Sequence, residues 1–154
     1  MKLVPLQWAS LVVIFIDAVV VVSGFVTGGP LLPRSANVVL TVISLALLAT
    51  TVVLTRGGYN FEKPTLPVWA VVVAVIAFFG GAFLFAFPLL TDTTAGSFEH
   101  SDGKYRESKD GVVVRELDAE QYEAAMAANQ RGWAGLAVAF AGGTLLYAGI
   151  RHRR

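Results

Sequence analysis

The chain has 154 residues, of which 55% are hydrophobic and 15% are charged, and its formal net charge is +1. This composition is too apolar for a soluble domain of that size, and a nearly neutral chain offers no basic surface for nucleic acid. The absence of cysteine excludes disulfides, thiolate metal ligands, iron–sulfur clusters and cysteine nucleophiles.

Four long apolar runs dominate the sequence, and each is close to the length that a membrane-spanning helix needs. A hydrocarbon core of roughly 30 Å requires about 20 apolar residues in a helix. The only charged residue inside the runs is Asp17. We therefore predict an all-α membrane protein, a bundle of four transmembrane helices embedded in a lipid bilayer. The runs cover residues 6–27, 36–55, 66–90 and 133–150.

The first run carries its carboxylate near the middle. At 100° per residue, Ser10, Asp17 and Gly24 fall on one stripe of a helix, so Asp17 is expected to point at a neighbouring helix. A charge at mid-membrane costs about 2.5–3.5 kcal/mol, and no Lys, Arg or His lies in the other runs to neutralise it. Three interpretations remain open: a protonated carboxyl that hydrogen-bonds between helices, a contact with a partner subunit, and a site of proton or cation translocation.

The second run has a polar stripe of its own, which includes Thr41 and Ser44. Ser44 lies near the middle of that run, at about the depth of Asp17. Because polar side chains shared between helices hold membrane bundles together, we expect the two stripes to pair. The sequence thus predicts an intramembrane polar site formed by Asp17, Thr41 and Ser44.

The third run presents an aromatic stripe. Phe79, Phe83 and Phe87 recur at every fourth residue, and small residues lie on another side of the same helix. Ordinary packing in the bundle explains such a stripe. The alternative is that the phenylalanine face is a docking surface for a different protein.

Two Asp-Gly pairs, at residues 102–103 and 110–111, lie between the third and fourth runs. Asp-Gly is typical of tight hairpin turns whose central residues need positive φ. The pairs predict a three-stranded meander over residues 97–101, 104–109 and 112–117.

The register that these turns imply places Glu107 opposite Val114. One face of the sheet would then carry Phe98, Tyr105, Val112 and Val114. Since an isolated meander of this size is marginally stable, this apolar face is expected to rest on the bundle or on a partner.

A helix start follows the meander. Asp118 is the predicted N-cap, Gln121 completes a capping box, and Leu117 with Tyr122 forms a hydrophobic staple. The helix either continues into the fourth run or breaks at residues 131–132.

Small residues line one face of the fourth run. Gly135, Ala139, Gly142 and Gly149 lie along that face, which lets another backbone approach closely. Together with Gly24 of the first run, these are the predicted helix-packing positions.

Basic residues close to the span ends predict the topology. They place both termini and residues 56–65 in the cytoplasm and leave residues 91–131 outside. We expect an integral protein of a prokaryotic cell membrane. Residues 1–90 would hold three spans, residues 91–131 the outer meander and helix stalk, and residues 132–154 the fourth span and a basic tail.

The sequence carries no catalytic signature. Its two histidines, His100 and His152, lie outside the apolar runs, so serine–histidine catalysis and bis-histidine haem ligation in the membrane are excluded. We expect no metal, no cofactor and no enzyme activity. The leading interpretation is an accessory or structural subunit that binds another membrane protein, or a homo-oligomer. The alternative is a small proton- or cation-coupled transporter or channel that uses Asp17.

Overall fold

The structure is a computed structural model that describes residues 3, 5–56, 66–90, 97–101, 103–109 and 111–150. These residues form four helices and a three-stranded antiparallel sheet, which lies between the third and fourth helices in the chain. The prediction of a mainly helical chain with a small meander in that place is confirmed. The elements are α1 (Pro5–Val26), α2 (Arg34–Arg56), α3 (Val68–Leu90), β1 (Ser97–Ser101), β2 (Lys104–Lys109), β3 (Val112–Leu117) and α4 (Ala119–Ile150).

Among the described residues, three helices are long and apolar enough to cross a membrane: α1, α2 and the Val68–Pro88 part of α3. Large apolar side chains such as Phe15, Val53 and Ile76 are exposed on their outer faces. Apolar side chains all round a helix are typical of membrane spans, because lipid takes the place of water around them. Length and composition therefore indicate membrane association.

Helix α4 lies at the centre of the bundle. α1, α2 and α3 each pack against it, whereas α1 and α2 make few contacts with each other. Buried residues follow one another along all sides of α4, among them Ala137, Ala141 and Leu145. Because most of these side chains are small, three other helices can approach the same axis closely.

The contacts along α4 fix the direction of its neighbours. Thr41 of α2 meets Trp133, and Leu48 approaches Gly143, so α2 runs parallel to α4. Residues that come later in α3 contact residues that come earlier in α4, so α3 runs antiparallel to α4. α1 runs antiparallel to α2 because a short connection joins them. The helices thus alternate in direction, up and down.

α4 begins at the predicted capping box and does not break. The Gln121 amide donates to Asp118 Oδ1 at 2.7 Å, and the Asp118 amide donates to Gln121 Oε1 at 3.3 Å. The helix continues through residues 131–132 to Ile150. Its 32 residues give a rod of about 48 Å, longer than a hydrocarbon core.

The sheet has the predicted strands, but its second pairing is shifted. β1 pairs with β2 as expected, with His100 opposite Tyr105. A bulge between Glu107 and Ser108 then places Glu107 opposite Arg115 instead of Val114. The predicted register was wrong because turn chemistry fixes the register only as far as the first bulge.

The bulge also changes which side chains face the protein. Phe98 and Leu117 are buried, whereas Val112 and Val114 are exposed, so the predicted apolar face was wrong in part. Tyr105 has ring contacts on both sides: its centroid lies 4.4 Å from that of His100 and 4.7 Å from that of Tyr122. The last contact anchors the sheet to the first turns of α4.

Candidate functional site

Nine polar side chains are buried among the described residues, and none of them lies on α3. They lie on the faces of α1, α2 and α4 that are buried in the bundle, at several levels along these helices. We call this set the polar lane. It consists of Gln7, Ser10, Asp17, Asn37, Thr41, Ser44, Thr51, Gln130 and Thr144.

Asp17 is the ionisable member of the lane. The residue is 1% exposed, and neither carboxylate oxygen has a hydrogen-bond partner in the described structure. Seven residues, or about 10 Å of helix rise, separate it from Gly24, which touches Arg131 of α4. Because α1 and α4 are antiparallel, Asp17 is level with Val138 of α4.

The predicted bond between Asp17 and the second polar stripe is absent. Thr41 donates to the carbonyl oxygens of Asn37, at 2.9 Å, and Trp133, at 3.3 Å. Ser44 donates to the carbonyl oxygen of Leu40 at 2.8 Å. Both helices pack mainly against α4 and not against each other.

Hydrogen bonds of Gln130 to the α1–α2 connection and to α2 close the end of the lane near the start of α4. Gln130 Oε1 accepts from the Leu31 amide at 2.7 Å, and its Nε2 donates to Asn37 Oδ1 at 3.4 Å. A small pocket here, with a volume of about 10 Å³, has both side chains in its wall and has room for about one water molecule.

Arg131 adds a positive charge at the same end. Its Nη1 donates to the Gly24 carbonyl oxygen at 2.8 Å, and its guanidinium lies 4.7 Å from the centre of the Phe25 ring. Burial lowers the pKa of Arg131 from its ordinary value, but a guanidinium remains charged at neutral pH. Gln130 and Arg131 are not among the site residues predicted from the sequence, although they form a polar pair just before an apolar run.

At the opposite end of the lane, the hydroxyl groups bond only within their own helices. Ser10 donates to Leu6 at 2.9 Å, Thr51 to Leu47 at 2.8 Å and Thr144 to Phe140 at 2.9 Å, in each case to the carbonyl oxygen four residues earlier. Each hydroxyl oxygen keeps lone pairs that can accept a further hydrogen bond.

The predicted small-residue positions lie mostly at the contact between α3 and α4. A methyl group on Gly142 would lie 2.7 Å from the Phe78 amide nitrogen and 2.9 Å from the Ala74 carbonyl oxygen. One on Gly135 would lie 2.8 Å from the Gly81 carbonyl oxygen.

The remaining packing positions differ in their neighbours. Ala139 is buried at this same contact, where its α-carbon would lie 3.2 Å from a methyl group on Gly81. Gly24 packs instead beneath the side-chain stem of Arg131. Gly149 belongs to α4, but its packing lies outside the described part of the structure.

No group of three or more His, Asp or Glu side chains among the described residues could hold a metal ion. No protein-family model matches the sequence, and no significant match was found among curated proteins or solved structures. The candidate site is therefore defined by its geometry alone.

Proposed function

We propose that this chain is an integral membrane protein of four spans that acts without catalysis, as an accessory or structural subunit of a membrane complex or as a homo-oligomer. The observation that carries the proposal is the continuity of α4. This one helix is both the centre of the bundle and the base on which the β-sheet is mounted. A rigid connection of this kind suits a protein that presents an outer module to a partner.

The fourth span is the part of α4 at residues 133–150. This part contains no charged residue, and it begins close to the C-terminal end of α1, because Arg131 donates a hydrogen bond to the carbonyl oxygen of Gly24. Surrounded by α1, α2 and α3, it needs less apolar surface than a span that faces lipid.

Under this proposal both termini lie in the cytoplasm of a prokaryotic cell, and residues 91–131 lie outside. The positive-inside tendency supports this orientation, since basic residues cluster near the span ends on the terminal side. The chain has no cysteine, so single cysteines introduced at Ser101 and Arg34 test it directly. Both should react with an impermeant maleimide added to intact cells.

Strand β3 is the part of the outer module best suited to a partner. The strand order β1-β2-β3 leaves one edge of β3 unpaired by the described strands, and Val112, Val113 and Val114 on it are exposed. Exposed apolar edge strands are usually protected in isolated proteins, because they pair readily with other chains. The edge therefore fits the extracytoplasmic part of a partner membrane protein.

The test combines native mass with crosslinking. The proposal expects the particle extracted in mild detergent to contain a reproducible second polypeptide or a fixed small number of copies of this chain. A photoreactive residue at Val113 should crosslink to that partner in native membranes, while the same probe at Glu120, on the exposed side of α4, should not. A monomeric particle without discrete crosslinks would overturn the proposal.

A second candidate function is a small proton- or cation-coupled transporter that uses Asp17. The observation in its favour is a buried carboxyl group without a hydrogen-bond partner among the described residues. D17N separates the two functions, because a packing role tolerates the change and a transport role does not.

A further inference from the structure

We propose that Asp17 is a proton-exchange site with access from one side only, through the half of the polar lane that leads to the N-terminal end of α1. This inference rests on the membrane placement proposed above, and it goes beyond that proposal by naming the ligand, the route and the closed end.

An ionised carboxylate without a partner is expensive in apolar surroundings, so the site requires a positive counterpart. The charged or titratable groups on the described helices packed against α1 are, on α2, Arg34 and Arg56 at its two ends and, on α4, Glu120, Tyr122 and Glu123 in its first two turns and Arg131 and Tyr147 near the ends of its buried part. None is level with Asp17. The acidic residues of α4 lie in its first two turns, beyond Arg131.

The surroundings of the Asp17 carboxylate suit a proton better than a metal cation. Hard cations in proteins take about six to eight oxygen ligands, and a single carboxylate supplies two at most. No described polar group lies within hydrogen-bond distance of the Asp17 oxygens to complete such a shell. A proton needs one carboxylate oxygen and no further ligand.

The end of the polar lane near the start of α4 is closed to protons. Towards the start of α4, the lane is occupied by the hydrogen bonds of Gln130, Asn37 and Thr41, and the guanidinium of Arg131 lies at its edge. A fixed positive charge at the mouth of a narrow polar path repels protons and cations, as it does in water-selective pores.

Towards the N-terminal end of α1, the lane contains Ser10, Thr51, Thr144 and finally Gln7. The three hydroxyl groups bond only to carbonyl oxygens of their own helices, so their oxygens remain available as acceptors for water. Under this proposal, a short chain of hydrogen-bonded waters carries protons over the roughly 10 Å of helix between Ser10 and Asp17. Protons reach Asp17 from this side.

The test uses the full chain in liposomes. Infrared difference spectra recorded on pH steps should show a carbonyl band of a protonated carboxyl that shifts in D₂O. The band should be missing in D17N and retained in both D17E and D118N, the last being a control at an exposed carboxylate. A wild-type spectrum without this band, or a band unchanged in D17N, would overturn the proposal.

Flux measurements test the closed end. Wild-type liposomes should hold an imposed pH gradient as well as protein-free ones do. R131M, which removes the charge, should leak protons, and R131M/D17N should be tight again. A proton leak that persists in the double variant would contradict one-sided access, and so would R131M liposomes that hold the pH gradient. D17N folding is checked by its elution from a size-exclusion column. Maleimide labelling at Ser101 separates failure of this inference from failure of the membrane placement, which it tests independently.

Discussion

The guanidinium of Arg131 on α4 donates a hydrogen bond to the carbonyl oxygen of Gly24 on α1. The last four carbonyl groups of a helix have no partner within it, and α1 ends at Val26, so Arg131 supplies a bond that α1 lacks. Its positive charge also lies at the negative end of the helix dipole. Gly24 makes the contact possible, since even a methyl group there would lie 3.3 Å from Arg131 Cγ.

R131M keeps most of the side-chain stem but loses the charge and the hydrogen bond. We expect the free energy of unfolding to fall by about 1–3 kcal/mol, because the Gly24 carbonyl loses its partner. Thermal unfolding followed by circular dichroism in detergent measures the change. R34M, at an exposed arginine, is the control, and an equal loss in both variants would show that general charge removal is the cause.

The contact between α3 and α4 depends on the absence of a side chain at Gly142. G142A should destabilise the bundle, because the added methyl group meets backbone atoms at 2.7 and 2.9 Å that cannot move independently. The neighbouring G143A is a matched control, since its methyl group would meet only the Phe78 ring, at 3.5 Å, and Leu48. We expect a loss of about 1–3 kcal/mol for the first variant and no loss for the second. Equal stability of the two variants in thermal unfolding would refute the close approach.

The same contact can be tested from α3. G81A should be destabilising, because its methyl group would lie 2.7 Å from the Ala139 amide nitrogen, whereas Gly80 has open space beside it. G80A should therefore leave the unfolding temperature unchanged or raise it, since alanine is the better helix former. Comparable losses in both variants would place the contact on a different face of α3.

The capping box at the start of α4 predicts a local effect. D118A removes the acceptor of the Gln121 amide and should lower the stability of the first helical turns by about 1 kcal/mol. Amide hydrogen exchange of residues 119–123 measures it. E120A, an exposed residue of the same turn, serves as the control. Unchanged exchange in D118A would argue against the cap.

Anchoring of the sheet predicts a different pattern of exchange. Y122A removes the ring that lies against Tyr105, and a three-stranded sheet without support is marginally stable. Amides of β1, β2 and β3 should therefore exchange faster, while those of the buried part of α4 keep their protection. Exchange that accelerates equally in both regions would mean that the sheet and bundle unfold together.

Most of the architecture follows from the sequence. The positions and lengths of the apolar runs located the helices, and the two Asp-Gly pairs predicted strand bounds that the structure reproduces. Gly103 and Gly111 have φ of 71° and 80°, as tight turns of this kind require. The bulge after Glu107 left no sequence signal, because nothing in the residue pattern of β2 and β3 distinguishes a paired residue from an extra one.

The candidate site was only partly predictable. Helical periodicity put Asp17 and Ser44 on faces that turn towards other helices, and both are buried. Periodicity does not say which helix a face meets, since in a membrane protein every helix is apolar on its other sides. The central position of α4, and with it the roles of Gln130 and Arg131, became visible only in three dimensions.

The central helix is also the last of the four to be made. α1 and α2 have little to hold each other, and their principal packing partner is α4. During synthesis the first three helices therefore lack their principal packing partner, and the carboxyl group of Asp17 is not yet covered by α4, until the fourth helix leaves the ribosome. Assembly of the bundle is therefore a single late event, and a chain whose translation stops before α4 has three helices without their shared packing partner.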